Sequence, residues 1–228
     1  MIADKLAQVN ARIASACAAA RRPVQSVTLL AVSKTFPAND VREACTAGQF
    51  RFGENYVQEG LDKIAALADL RDRLEWHLIG PLQSNKTRVA AVNFDWIQTV
   101  DRKKIACRLS DQRPADRPAL NVLIQINISG EASKSGVVPG DAAALAEAVA
   151  ALPRLRLRGL MAVPHPERHT ALQFSEMQAL YERLKARFGF DTLSMGMSDD
   201  LEAAIAHGAT MVRIGTAIFG RRKTESPA

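Results

Sequence analysis

Eight short β-branched or apolar runs recur along this chain, each followed by a longer amphipathic stretch, and that rhythm limits the fold more than any other feature. The runs cover residues 27–32, 50–52, 76–79, 96–99, 122–126, 157–161, 192–194 and 211–214. Two intervening stripes are plainly helical: Leu145, Ala148, Val149 and Leu152, then Met177, Leu180, Tyr181, Leu184 and Phe188. Ahead of the rhythm, Ile2, Leu6, Val9, Ile13 and Cys17 mark a helix over 2–21, with Pro23 to stop it. Strand, helix, strand in regular alternation predicts a parallel sheet. A lead of 26 residues leaves 202 for eight units, about 25 residues each, compact but adequate for a (β/α)8 barrel. An open doubly wound sheet more often carries a glycine-rich turn after its first strand. Here Ala31-Val32-Ser33-Lys34-Thr35 has no glycine. The expectation is one TIM-barrel domain over 1–228, of α/β class, with an extra N-terminal helix and a disordered-like tail at 221–228.

Composition excludes several alternatives. Basic residues number 30 against 24 acidic, a net charge of +6, but they are scattered and have no interleaved aromatics. A nucleic-acid surface would concentrate them on one face, so none is expected, and Arg221-Arg222-Lys223 reads as a solvated tail. No uncharged apolar run approaches the roughly 18 residues that cross a bilayer, and no secretory leader is visible. Three dispersed cysteines, Cys17, Cys45 and Cys107, fit a reducing compartment. A soluble cytoplasmic protein is expected.

Barrel chemistry gathers where the strands end, on their C-terminal loops. Reading past each run collects Lys34, Glu54-Asn55, His77 with Gly80, Asp101, Asn127, Met161, Ser198, then Arg213 with Gly215 and Thr216. Lys34 directly follows Leu29-Leu30-Ala31-Val32. Either it snorkels to the rim, or desolvation favours its free amine, the form that attacks a carbonyl to give a Schiff base. Residues 194–200 and 213–217 combine small residues, hydroxyls and helix starts, which suits phosphate; alternatively they make only turns and a cap. An amine and a phosphate cradle together suggest a phosphosugar aldolase or a protein of pyridoxal 5′-phosphate (PLP). Arg213 favours the second. A permanent cation at the pyridine nitrogen would donate to it and keep it neutral, leaving a poor electron sink.

Residues 31–35, Phe52-Gly53-Glu54-Asn55-Tyr56-Val57-Gln58-Glu59, residues 76–86, Ser133-Lys134-Ser135-Gly136, residues 159–161, Leu193-Ser194-Met195-Gly196-Met197-Ser198 and residues 212–220 together resemble the PLP homeostasis proteins, the YggS/PROSC family. The likeness spans nearly the whole chain. It implies an alanine-racemase-like barrel holding PLP as an internal aldimine on Lys34, with Ser198, Gly215 and Thr216 on the phosphate and Arg213 at the ring nitrogen. Asn55, His77 and Met161 match positions lining the same mouth. The implied role is to bind, buffer and deliver PLP, with apo PLP-dependent enzymes as transient partners and the chain acting as a monomer. The alternative is a weak amino-acid racemase. Racemases of this type add a β-rich domain bearing a tyrosine, and the eight residues after Gly220 cannot form one. Of the two tyrosines, Tyr181 reads as packing and Tyr56 as a weak acid or base. Lys134 is either a surface lysine or a second amine for passing PLP outward. Arg168-His169 departs from the family pattern. His165 and His169 lie in a proline-containing loop, so no metal site is expected.

Overall fold

The computed structural model describes residues 1–131, 135–165 and 169–220. Eight parallel strands close on themselves in chain order, β1 (Thr28–Val32), β2 (Arg51–Glu54), β3 (Glu75–Leu78), β4 (Trp96–Val100), β5 (Leu120–Ile126), β6 (Leu155–Ala162), β7 (Thr192–Ser194) and β8 (Met211–Ile214), with β1 also pairing β8. Each of the eight runs read from the sequence overlaps a strand, with Val27, Phe50 and Ile79 falling just outside. The bounds differ where polar residues join the ladder. Strand β6 begins at Leu155, two residues ahead of the run, and so also carries Arg156, which no apolar pattern would include. Lys134, Arg168 and the tail at 221–228 lie outside the described residues.

The connecting helices are α2 (Ala38–Thr46), α3 (Val57–Ala66), α4 (Thr87–Asn93), α5 (Lys103–Gln112), α6 (Ala142–Ala150), α7 (Thr170–Phe188), α8 (Leu201–Ala206) and α9 (Thr216–Phe219). Strand side chains alternate faces, so each strand serves two cores. Outward residues such as Ala31, Ile97, Val122 and Leu160 join the large cluster under the helices. Trp96, Leu123 and Met161 form a separate buried cluster. Burial on both faces explains why the strands read as nearly continuous apolar runs.

The leading helix α1 (Ile2–Ala19) ends two residues short of the expected span, and Arg21 turns the chain at φ +54°. Ile2, Leu6, Val9, Ile13 and Cys17 are its buried stripe, packed beside α2, α8 and α9. No described helix is long and apolar enough to cross a membrane.

Because the stripe supplies most of the attachment of α1, Leu6→Ala should cost about 2–5 kcal/mol of unfolding free energy, as for other buried leucines. Denaturant titration measures it; a loss below about 0.5 kcal/mol, the surface range, would mean that α1 is not docked through this face.

Candidate functional site

The period of two in each strand decides which side chains enter the mouth. Counting inward from Leu30 gives Val32 and Lys34; from Gly53, Asn55; from Glu75, His77 and Ile79; from Met211, Arg213 and Gly215. A cavity of about 410 Å³ at the C-terminal ends of the strands brings together Lys34, Asn55, Ser198, Arg213, Gly215 and Thr216. That volume falls within the roughly 300–1,000 Å³ of small-molecule sites. A larger groove of about 690 Å³, lined by Arg71, Arg113 and Arg117, opens at the N-terminal ends. There Arg71 is paired with Asp95, and Arg113 is spent on three backbone carbonyls. The smaller cavity has the convergent chemistry.

Of the residues collected at the strand ends, Glu54, Gly80, Asp101 and Asn127 do not line the cavity, and neither do two that the family likeness put at the mouth. His77 lies within β3 rather than at its end, because the apolar run that seemed to precede the loop includes it. It is fully buried, stacked on Trp96 at 5.0 Å, with its ring nitrogens engaged by Glu75 and Gln98. Met161 is also buried, against Trp96 and Leu123. Both belong to the floor beneath the cavity. Tyr56 is 64% exposed and does not line the cavity either. Tyr181 is buried in α7, where burial pushes its phenol up to about 12, which fits packing. Among the described residues, no group of three or more His, Cys, Asp or Glu could hold a metal ion. His165 pairs instead with Glu131 at 3.0 Å.

Half-buried Lys34 stands between two anchored neighbours. Ser33 Oγ donates to Glu54 Oε1 at 2.6 Å, and the Ser33 carbonyl accepts from Lys63 Nζ at 2.6 Å. On the other side, the Thr35 N–H donates to Glu59 Oε1, holding Thr35 at φ +68°, a left-handed conformation unfavourable for a threonine. Lys63 joins the two halves, 2.8 Å from both Glu54 and Glu59. Burial pushes the Glu54 carboxyl up, and the Lys63 ammonium opposes it. Sequence reading missed Lys63; the Glu59–Lys63 spacing of four on one helix was the available signal. Asn55 is set by a close approach: a Cβ on Gly80 would sit 2.0 Å from the Asn55 carbonyl oxygen, so only glycine fits there.

Across the mouth, Arg213 is buried and donates through Nη1 to Ser194 Oγ at 2.7 Å and through Nη2 to the Ala162 carbonyl at 2.8 Å. Burial pushes its guanidinium down to about 10 against the pull of Asp200, so it stays cationic at neutral pH. Its remaining N–H groups are left for the cavity. The N–H groups of Thr216 and Ala217, where α9 begins, have no acceptor among the described residues. The Ser198 carbonyl is held by Arg12 Nη2 at 2.9 Å, and the same guanidinium grips Glu202 of α8. Thus the extra helix braces the loop bearing Ser198, a role that no local pattern in the sequence announces.

Residues 5–223 match the family described as alanine racemase, N-terminal domain. The chain is 60% identical over its whole length to the pyridoxal phosphate homeostasis protein of Pseudomonas aeruginosa, covering 98% of that protein. It is 59% identical to the protein of that name from Escherichia coli K12, over 97% of both chains. The solved structure of PipY from Synechococcus elongatus with PLP bound superposes with a TM-score of 0.82 at 37% identity, covering 96% of this chain and all of that one.

Removing the ammonium that joins the Lys34 brackets strands a buried carboxylate. Lys63→Met should therefore cost about 3–5 kcal/mol at neutral pH. Glu54 already titrates above 4.5, and without Lys63 its neutral form is favoured further. The deficit should shrink as pH falls towards that value and grow as pH rises through the folded pKa. Unfolding free energies of both proteins across pH test this; a deficit independent of pH would exclude Glu54 as the cause.

Proposed function

The chain belongs to the pyridoxal phosphate homeostasis proteins, within the alanine racemase N-terminal-domain family, and from that membership we propose that it binds PLP in the cavity at the barrel mouth and holds it for delivery rather than for turnover. The observation that carries this reading is the convergence of an amine, a buried cation and a phosphate-type loop pair on one cavity of about 410 Å³. Bound there, PLP supplies an electrophilic aldehyde on an electron-withdrawing ring. Lys34 Nζ would bond the aldehyde carbon with loss of water, and its bracketed backbone restricts where that amine can reach. Ser198, Gly215 and Thr216 would hold the phosphate, helped by the open N–H groups of Thr216 and Ala217. Arg213 would present donors to the ring nitrogen and, as a cation, would discourage its protonation. Asn55 lines the side wall, while His77 and Met161 support the floor from below.

A carrier fits this geometry better than a racemase does. Moving a proton on both faces of a substrate needs two groups. Lys34 is one; neither of the chain's two tyrosines lines the cavity, and its one lining carboxylate, Asp199, adjoins Ser198 in the loop assigned to the phosphate. Cytoplasmic residence, action as a monomer and transient contact with apo PLP-dependent enzymes complete the reading. Cys17, Cys45 and Cys107 are all free thiols, in keeping with a reducing compartment.

Borohydride reduction of the PLP-loaded protein should fix the cofactor on a peptide containing Lys34, read by mass spectrometry, with Lys34→Ala unlabelled. Labelling elsewhere would overturn the assignment. Arg213→Glu should weaken PLP binding by about tenfold or more, the effect of losing a charged hydrogen bond, and should change the visible spectrum. Sustained turnover of D- or L-amino acids would make the protein an enzyme instead.

A further inference from the structure

The inside of the barrel carries an unbroken line of polar side chains from one end to the other. Arg51 Nε lies 3.2 Å from Glu75 Oε1 at the N-terminal rim. Glu75 Oε1 is 2.9 Å from His77 Nε2, and His77 Nδ1 is 2.9 Å from Gln98 Nε2. Gln98 Oε1 is 2.7 Å from Ser194 Oγ, which is 2.7 Å from Arg213 Nη1 at the mouth. His77, Gln98 and Ser194 are fully buried, so water cannot repair a mismatched partner.

The ends determine the direction. A guanidinium only donates and a carboxylate only accepts. Ser194 must therefore accept from Arg213 and pass its own hydrogen to the Gln98 carbonyl oxygen. The Gln98 amide then donates to His77 Nδ1, and His77 Nε2–H donates to Glu75. Reversing Gln98 would require a charged imidazolium in the interior. Burial pushes His77 down and outweighs the attraction of Glu75 and Asp95. Burial alone would push Glu75 up, but the His77 hydrogen bond and Arg51 outweigh it and hold the carboxyl below its ordinary range. The line thus runs from a cation at the mouth to an anion at the far rim through three neutral groups.

We propose that Ser194, Gln98 and His77 are positioning residues for Arg213, a one-way chain of hydrogen bonds that aims its guanidinium at the ring nitrogen of the bound cofactor. The proposal rests on the PLP reading above. With the Ala162 carbonyl on Nη2 and Ser194 on Nη1, the guanidinium plane is fixed at two points. The counter-charge in this line, Glu75, sits at the opposite end of the barrel. Arg213 therefore meets the cavity without a carboxylate in hydrogen-bond contact.

The test compares PLP with its 1-deaza analogue, in which carbon replaces the ring nitrogen, on the wild type, Gln98→Met and Ser194→Ala. The wild type should bind PLP about tenfold more tightly than the analogue, one charged hydrogen bond's worth. Both variants should lose that preference while binding the analogue within about twofold of wild type. Retained preference overturns the proposal, and so does an equal loss for both ligands, which marks a merely structural role. A wild type that binds both equally removes Arg213 from the ring nitrogen. A wild type that binds neither removes the PLP reading and the proposal with it. Independently, nitrogen NMR of His77 at neutral pH should show a neutral ring protonated on Nε2; an imidazolium or the Nδ1–H form contradicts the direction of the chain.

Discussion

Closing eight strands into a ring sends alternate side chains of every strand into an interior that has little access to water. That single constraint sets the terms for everything else in this protein. A polar side chain placed inside must find its partner inside, because an unpaired donor or acceptor there costs about 1–3 kcal/mol. The barrel meets the constraint in two ways. Trp96, Leu123 and Met161 fill one part with apolar bulk. His77, Gln98 and Ser194 fill another, each satisfied by the next. A buried arginine at the mouth is tolerable because its Nη groups are committed to Ser194 and Ala162.

The same constraint explains what could be read from the residues in order. The barrel was legible because strands covered on both faces are apolar on both faces, and eight such runs leave few architectures. Lys34, Asn55, Ser198, Arg213, Gly215 and Thr216 were legible as a mouth because each follows or ends a run. His77 was misplaced by the same rule: its imidazole stacks flat on Trp96 inside the strand, so the apolar run continued past it. Gln98 could have been suspected as a polar residue two places after Trp96, on the same face. Lys63 and Arg12 were not legible in their roles. Their partners are Glu54 and Ser33 in one case and the Ser198 carbonyl in the other, and only the closed fold brings them together.

Each side of the mouth is braced from outside the barrel. Lys63 on α3 ties the loop after β1 to the end of β2. Arg12 on α1 ties the loop after β7 to α8. Both braces act on backbone rather than on the side chains that face the cavity. They therefore restrict where Lys34 and Ser198 can be without occupying them. Ordering a loop at the moment of binding subtracts from affinity, and a loop already held makes that subtraction small.

That division of labour bears on the proposed reading, in which the site holds a reactive cofactor without exploiting it. Catalysis requires groups that bind the transition state more tightly than the ground state. On that reading the groups assembled here, the amine of Lys34, the guanidinium of Arg213 and the loops bearing Ser198 and Thr216, would all address the cofactor itself. Arg12 of the extra helix holds the loop bearing Ser198, and Ser194 of the interior chain holds Arg213; neither adds a second acid or base. Supporting interactions that would converge on one ligand's three handles, the aldehyde, the ring nitrogen and the phosphate, fit the proposed carrier. On the proposed reading, turnover would need a further proton-moving group besides Lys34; the one carboxylate lining the cavity, Asp199, adjoins Ser198 in the loop that the reading gives to the phosphate.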